Sequence, residues 1–220
     1  MSLLANYTET RYVPHPWQIQ SIPFLPEILK YGIGSLVDFG CGEGFHAEWF
    51  HEAGIEVVGV DQWLSGAARK RAAGRYELIV GNWNDLPGGY DAGFSHHVLE
   101  HARDPIGWLN EWGALIRPGG KLFIVVPAYS SDSAAGHINI GWNIGQLLYN
   151  LALAGFDCTK GRFIQQGGII WGIVDRPECL NIIDSQIPGG WELAVERMPA
   201  ALVYTGAHFC GEMKELQWLA

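Results

Sequence analysis

The stretch Ser35-Leu-Val-Asp-Phe-Gly-Cys-Gly-Glu-Gly44 decides the fold. Leu36, Val37 and Phe39 read as a short buried strand that runs into Gly40-x-Gly42-x-Gly44 and then into a helix over about residues 44–53. Glycine belongs where a chain must turn tightly and let a ligand approach the backbone without a Cβ in the way. The free N–H groups that open the following helix suit a nucleotide-like ligand. A dinucleotide fingerprint has the order G-x-G-x-x-G, and Phe45 stands where its third glycine would be. The G-x-G-x-G spacing therefore points away from a pyrophosphate and towards an adenosine carrying an amino acid, and it disfavours a nicotinamide oxidoreductase.

The next apolar run, Ile55-Glu-Val-Val-Gly-Val60, is a β-branched strand that ends in Asp61. A carboxylate about 20 positions past the first glycine is placed to reach a ribose diol. From there, strand-like and helical runs alternate, the pattern of a parallel sheet covered by helices. Strands are expected at 36–39, 55–60, 76–80, 91–95 and 121–126, and helices near 44–53, 64–73 and 104–116. Ile144, Leu147, Leu148, Leu151 and Leu153 give residues 143–154 the spacing of an amphipathic helix. Gly155 is its expected stop. Phe156 then opens a sixth strand, and Ile169–Val174 forms a seventh.

These motifs together resemble a class I S-adenosylmethionine-dependent methyltransferase. Val37-Asp-Phe-Gly-Cys-Gly-Glu-Gly44 is similar to that family's glycine-rich first motif, and Val58-Gly-Val-Asp61 to its second. Tyr90 through His101 resembles the end of its fourth strand with the Leu99-Glu100-His101 signature of the small-molecule branch. Asp104-Pro105 through Arg117-Pro-Gly-Gly120 resembles the next helix and the turn into the fifth strand. The resemblance covers roughly residues 35–175. It implies an α/β, Rossmann-like, doubly wound sheet of seven mostly parallel strands, the last antiparallel and inserted between its neighbours, with helices on both faces. One domain is expected: an N-terminal cap or lid over 1–34, a core over 35–175 and a C-terminal extension over 176–220.

The resemblance also implies a cofactor site for S-adenosylmethionine and its product S-adenosylhomocysteine. Asp61 would accept hydrogen bonds from both ribose hydroxyls. Gly40, Cys41 and Gly42 would border the methionine part, with Cys41 chosen for size and not for nucleophilicity, and Asp38 would reach its ammonium. Gln62 and Trp63 would line the adenine, the indole by stacking. Asn82, beside Trp83, stands where the family commonly has an aspartate, and its amide carbonyl can still accept the adenine amino group. Ser95 and His96 would border the sulfonium, outside the carboxyl ends of the strands where ligands of doubly wound sheets bind.

A sulfonium methyl is already activated, so rate comes largely from holding a nucleophile in line with it, with a base when the acceptor is a hydroxyl. His96, His97, His101 and His137 fall on carboxyl-end loops. His137 is favoured as the acceptor-facing residue and His97 is the second candidate. His101 is read as fixing the helix after strand four, Glu100 as an anchor, and His15, His46, His51 and His208 as lying elsewhere. Of the ten tryptophans, Trp49, Trp108 and Trp112 have core-facing helical spacings.

The bulk composition narrows the partners. Fourteen basic against 23 acidic residues give a net charge of −9, without the basic footprint of a nucleic-acid modifier. Arg69-Lys-Arg71 and Arg75 read as a solvated helix face. Cys41, Cys158, Cys179 and Cys210 are widely separated, which offers no zinc spacing and no disulfide framework, and no metal is expected. Prolines 14, 16 and 23 interrupt any signal segment, and no run of 18 apolar residues suggests a membrane span. The expectation is a cytoplasmic monomer or homodimer that methylates a small molecule or glycan intermediate. A non-catalytic cofactor-binding module is the alternative, and a protein or RNA acceptor is ranked lower.

Overall fold

The computed structural model describes residues 16–129, 136–139, 141–200 and 215–218, with the side chains of Pro16 and Trp17 excepted. Two short helices, α1 (Pro16–Ile19) and α2 (Leu25–Leu29), precede the core. Then come β1 (Ser35–Phe39), α3 (Phe45–Glu52), β2 (Glu56–Asp61), α4 (Gly66–Ala72), β3 (Glu77–Val80) and β4 (Tyr90–His96). They are followed by α5 (Pro105–Leu115), β5 (Ile116–Pro127), α6 (Ile144–Ala154), β6 (Asp157–Gln166), β7 (Ile169–Asp175), α7 (Gly190–Glu196) and β8 (Glu215–Leu216).

The strand order is β3-β2-β1-β4-β5-β7-β6-β8. Strands β1 to β5 pair in parallel, while β7 runs antiparallel between β5 and β6. The sequence led to seven strands. The eighth is a two-residue strand on the outer edge of β6, too short to leave a periodic signal. The order reverses direction between β1 and β4, and in open α/β sheets that switch point opens a crevice at the carboxyl ends of the strands.

Alternating side chains bury the sheet on both faces. Leu36, Phe94, Phe123 and Val125 face Phe24, Ile28, Trp49 and Phe50 from α2 and α3. Val37, Phe39, Leu122 and Ile124 face Leu109 and Trp112 of α5 and Leu147 and Leu151 of α6. Phe39 stacks on Trp112 at 5.0 Å, so Trp112 and Trp49 are core residues as their spacing suggests. Asn143 caps α6 by accepting from Gln146 N at 2.8 Å, and Gly155 ends it at φ +109°.

The appendages pack on this core. Helix α7 buries Ala194 against Leu153 and Ile183, and Trp218 lies edge-on to Phe24 at 5.9 Å. Residues 1–15 and 201–214, which include His15, His208 and Cys210, lie outside the described part. Arg71 and Arg75 are committed to structure, since both pair with Glu48. Among the described residues no helix is long and apolar enough to cross a membrane.

Asp91 ties the strands together at the end of the sheet opposite the crevice. Its Oδ2 accepts from Gly34 N at 2.7 Å and Ser35 N at 3.0 Å, and its Oδ1 accepts from Arg117 Nε at 2.6 Å. The starts of β1, β4 and β5 are thereby tied to one carboxylate. Asp91→Ala should destabilise the protein by about 1–3 kcal/mol, read as a lower denaturant midpoint at unchanged slope.

Candidate active site

One hydrogen bond organises the carboxyl ends of the strands: Gly42 N donates to Asp61 Oδ2 at 2.9 Å. Asp61 Oδ1 accepts from Trp63 N at 3.1 Å. The carboxylate at the end of β2 is thus clamped between the glycine loop and the residue that opens the next connection. Two of the loop's glycines do different work. A Cβ on Gly40 would stand 2.4 Å from Val98, so this position serves close packing. Gly42, at φ +51°, has nothing within 4 Å of its Cβ position and lines a cavity. A side chain there would enter ligand space.

The cavity holds about 600 Å³. Gly40, Cys41, Gly42, Asp61, Gln62, Trp83, His96 and His97 of the sequence-derived set line it, with Gln18, His46, Val98, His101, Arg103, Trp108 and Ile138. A smaller hollow of about 410 Å³ adjoins it through the shared residues Gln62, Trp83 and Trp108 and adds Gly81, Asn82 and Glu111. Asn82 Oδ1 already accepts from Asn84 N at 3.0 Å, so one of its lone pairs is used in capping a turn.

Several expectations need correction. Trp63 is 67% exposed and does not line the cavity. Trp83 supplies the aromatic wall instead, held by a bond from its Nε1 to Glu111 Oε2 at 2.8 Å and by edge-on contact with Trp108 at 5.0 Å. Trp108 therefore faces the cavity and not only the core. Ser95 is sealed inside the sheet with no hydrogen-bond partner for its Oγ among the described residues. The pleat turns it away and presents His96. His46, placed elsewhere on sequence grounds, is a wall residue: it sits in the first turn of α3, bonds Ser21 Oγ at 2.8 Å and lies 4.5 Å from the His96 ring. Its position straight after the glycine loop was the available signal.

His137 does not line the cavity, although its neighbour Ile138 does. The backbone N–H groups of Ile138 and Asn139 both donate to Glu100 O, at 3.0 and 2.9 Å. This folds the loop back so that His137 Nε2 lies 4.0 Å from Glu100 Oε1. His97 is the histidine that lines the cavity. Its φ of +55° is left-handed, which a non-glycine residue adopts at some cost, and its Nδ1 stands 3.1 Å from Glu100 Oε1.

Burial sets the charge states. Burial, helped by His97, pushes His46 down to about 3, and burial with the neighbouring His46 and His97 holds His96 well below the usual imidazole range. Both are neutral rings. Burial pushes the Cys41 thiol far up, so it is no nucleophile. The Cys41 side chain lies where a Cβ on Gly59 would meet it at 2.9 Å, so the two positions pack closely.

Asp38 is 1% exposed and lies under the loop, not in the cavity wall, with no hydrogen-bond partner for Oδ2 among the described residues. Burial and the Asp61 charge raise its carboxyl well above the usual range. A buried acid with one free oxygen beside Asp61, a glycine with open space above it and a clamped carboxylate at the end of β2 together fit a ligand carrying a cationic amino acid and a ribose.

Residues 37–124 match the methyltransferase domain family. Over 110 residues the chain is 30% identical to a tRNA U34 carboxymethyltransferase of Trichlorobacter lovleyi, covering 46% of this chain and 34% of that protein. Over 98 residues it is 32% identical to a ubiquinone biosynthesis O-methyltransferase of Aeromonas salmonicida, covering 40% and 41%. The matched segment thus spans well under half the length of either relative. The fold is similar to that of the Burkholderia thailandensis 1,6-didemethyltoxoflavin-N1-methyltransferase crystallised with S-adenosylhomocysteine, with TM-score 0.57, 16% identity, and coverage of 76% of this chain and 93% of that one. Residues 37–124 are thus similar to a methyltransferase domain, and the described chain has the Rossmann-like fold seen in such proteins. The ranking of RNA acceptors below small molecules finds no support here, because a tRNA enzyme stands among the relatives.

The raised Asp38 carboxyl yields a pH test. An unfolded aspartate loses its proton near ~3.9, whereas the folded one keeps it to higher pH. The native state then binds more protons than the unfolded one across that window, and stability falls as pH rises through it. Asp38→Asn removes this term. Its stability gain over the parent should grow above pH ~4 by up to ~1.4 kcal/mol per pH unit until the folded group ionises, while S-adenosylhomocysteine affinity drops. A pH-independent difference in denaturation midpoint would count against the assignment.

Proposed function

We propose that this chain transfers a methyl group from S-adenosylmethionine to a hydroxyl of a small organic acceptor bound in the cavity. The observation that carries the reading is the continuity of one cavity from Gly42 and Asp61 at the cofactor end to His96, His97 and His101 at the other. S-adenosylmethionine supplies, when bound, a methyl group already activated on sulfur. Asp61 would hold the ribose hydroxyls with the lone pairs its backbone donors leave. Gln62, Trp83 and Asn82 would bound the base, and Asp38 would balance the ammonium. The neutral rings of His46 and His96 line the interior without adding positive charge that would oppose a cationic cofactor.

On the acceptor side, His97 is the candidate base. Its Nδ1 stands 3.1 Å from Glu100 Oε1, so the proton from the acceptor hydroxyl would be taken at Nε2, with the acid nearby to attract the imidazolium formed. This is the general-base arrangement of a histidine held by an acid. The second reading is a nucleoside within RNA, favoured by the similarity to a tRNA enzyme and by Arg103 at the cavity. The net charge of −9 supports the small acceptor, since it offers no general counterion-release drive for a polyanion. Residues 16–34 and 176–200 are proposed to complete the acceptor side; Gln18 already lines the cavity.

Two measurements test the proposal. S-adenosylhomocysteine should bind and raise the melting temperature while NAD does neither. Asp61→Ala should weaken that binding by about 2–4 kcal/mol, roughly 30- to 1,000-fold; an unchanged dissociation constant would remove Asp61 from the site. With the acceptor in hand, His97→Asn should lower kcat ~10²–10⁴-fold at nearly unchanged S-adenosylhomocysteine affinity. Turnover within about twofold of the parent would discard the base.

A further inference from the structure

We infer that Glu100, His101 and His137 form a site for one divalent transition-metal ion beside the cavity, with an open coordination position that takes an oxygen of the acceptor. The metal half of this inference stands on side-chain geometry alone; the acceptor half rests on the functional reading above.

The first observation is Glu100 itself. It is 0% exposed, and neither carboxylate oxygen has a hydrogen-bond donor among the described residues. His97 Nδ1 comes within 3.1 Å of Oε1. No Lys or Arg pairs with Glu100 among the described residues; its ion-pair neighbours are His97 and His137. Buried carboxylates are kept charged by paired cations or coordinated metals.

The second observation is the donor set. One ligand atom from each of Glu100, His101 and His137 lies within 4.8 Å of the others. The two imidazole rings sit 5.1 Å apart at 78°, on segments 36 positions apart in sequence. The third is the outer support. His101 donates Nδ1–H to Gly136 O at 2.9 Å, which leaves its lone pair on Nε2. Ligating histidines are characteristically held in this way, by a bond from the other ring nitrogen to a carbonyl. Asn139 secures the same loop from the far side, through Nδ2 to Ala102 O at 3.0 Å.

Two imidazoles and one carboxylate suit zinc, iron(II) or cobalt(II) better than magnesium or calcium. They also leave one or more positions for a further ligand. Around an ion with bonds of ~2.0–2.2 Å the donors stand roughly 3.4 Å apart. The present spacing therefore closes by rotation of His137, whose side chain is 21% exposed, toward Glu100 and the His101 ring, which keeps its bond to Gly136 O. His101 lines the cavity, so the open position faces the acceptor. The expectation of no metal came from cysteine spacing, and these residues carry no such signal.

The test uses the full chain, stripped with a chelator and titrated with Co²⁺ followed by absorption spectroscopy and with Zn²⁺ followed by calorimetry. One equivalent should bind. His101→Asn and His137→Asn should each weaken it at least ~10- to 100-fold, while His51→Asn binds like the parent. S-adenosylhomocysteine affinity should be unchanged in all three, which separates failure of the metal site from failure of the cofactor reading. Glu100→Gln, with its melting curve recorded to verify folding, should also lose the ion. Catechol added as an oxygen-donor probe should shift the Co²⁺ bands. Absence of a stoichiometric ion, or one that survives the His101 and His137 substitutions, overturns the site; bands unmoved by catechol overturn the open position.

Discussion

The clamp of Asp61 between Gly42 N and Trp63 N is the constraint on which the rest of the site depends. A carboxylate at a strand end would otherwise turn to solvent and lose its aim. Two backbone donors fix its plane, and the left-handed glycine that supplies one of them also opens the space above. Because Gly42 follows β1 and Asp61 closes β2, the clamp joins the carboxyl ends of these two strands beside the switch point between β1 and β4. The cavity is a consequence of that junction, floored by the loop and walled by the connections leaving β3 and β4.

The same logic explains why the interior is acidic and imidazole-rich without being charged throughout. Asp38 and Asp61 lie close enough for one to raise the other, and the buried rings of His46 and His96 are neutral. A cationic cofactor entering this space would meet the Asp61 side chain, with the buried acid Asp38 close behind it. Glu100, a fully buried acid, has His97 and His137 as its ion-pair neighbours.

Much of this was legible in the chain. The strand–loop–helix of residues 35–53 and the β-branched run ending at Asp61 carry their own periodicity, and the structure reproduces the strands and helices to within a few residues. The cavity-lining glycines, Cys41, Asp61, Gln62, Trp83, His96 and His97 were readable from that order. The features that the chain did not disclose are set by direction and not by position. Ser95 and His96 are adjacent, and only the pleat decides which one faces the ligand. Trp63 and Trp83 are both aromatic residues after strands, and Trp83 alone has Glu111 to hold it inward. His137 was placed on the right loop, but its facing depends on two backbone bonds to Glu100 O, a contact between residues nearly 40 positions apart. Long-range hydrogen bonds of that kind leave no local pattern.

A crystal structure of the full chain grown with saturating S-adenosylhomocysteine tests the central claim most directly. Density is predicted to start over Gly42, to place both ribose hydroxyls on Asp61 and to end with the base between Gln62 and Asn82 beside Trp83. Density elsewhere on the molecule, or a ribose that leaves Asp61 bonded only to Gly42 and Trp63, would contradict it.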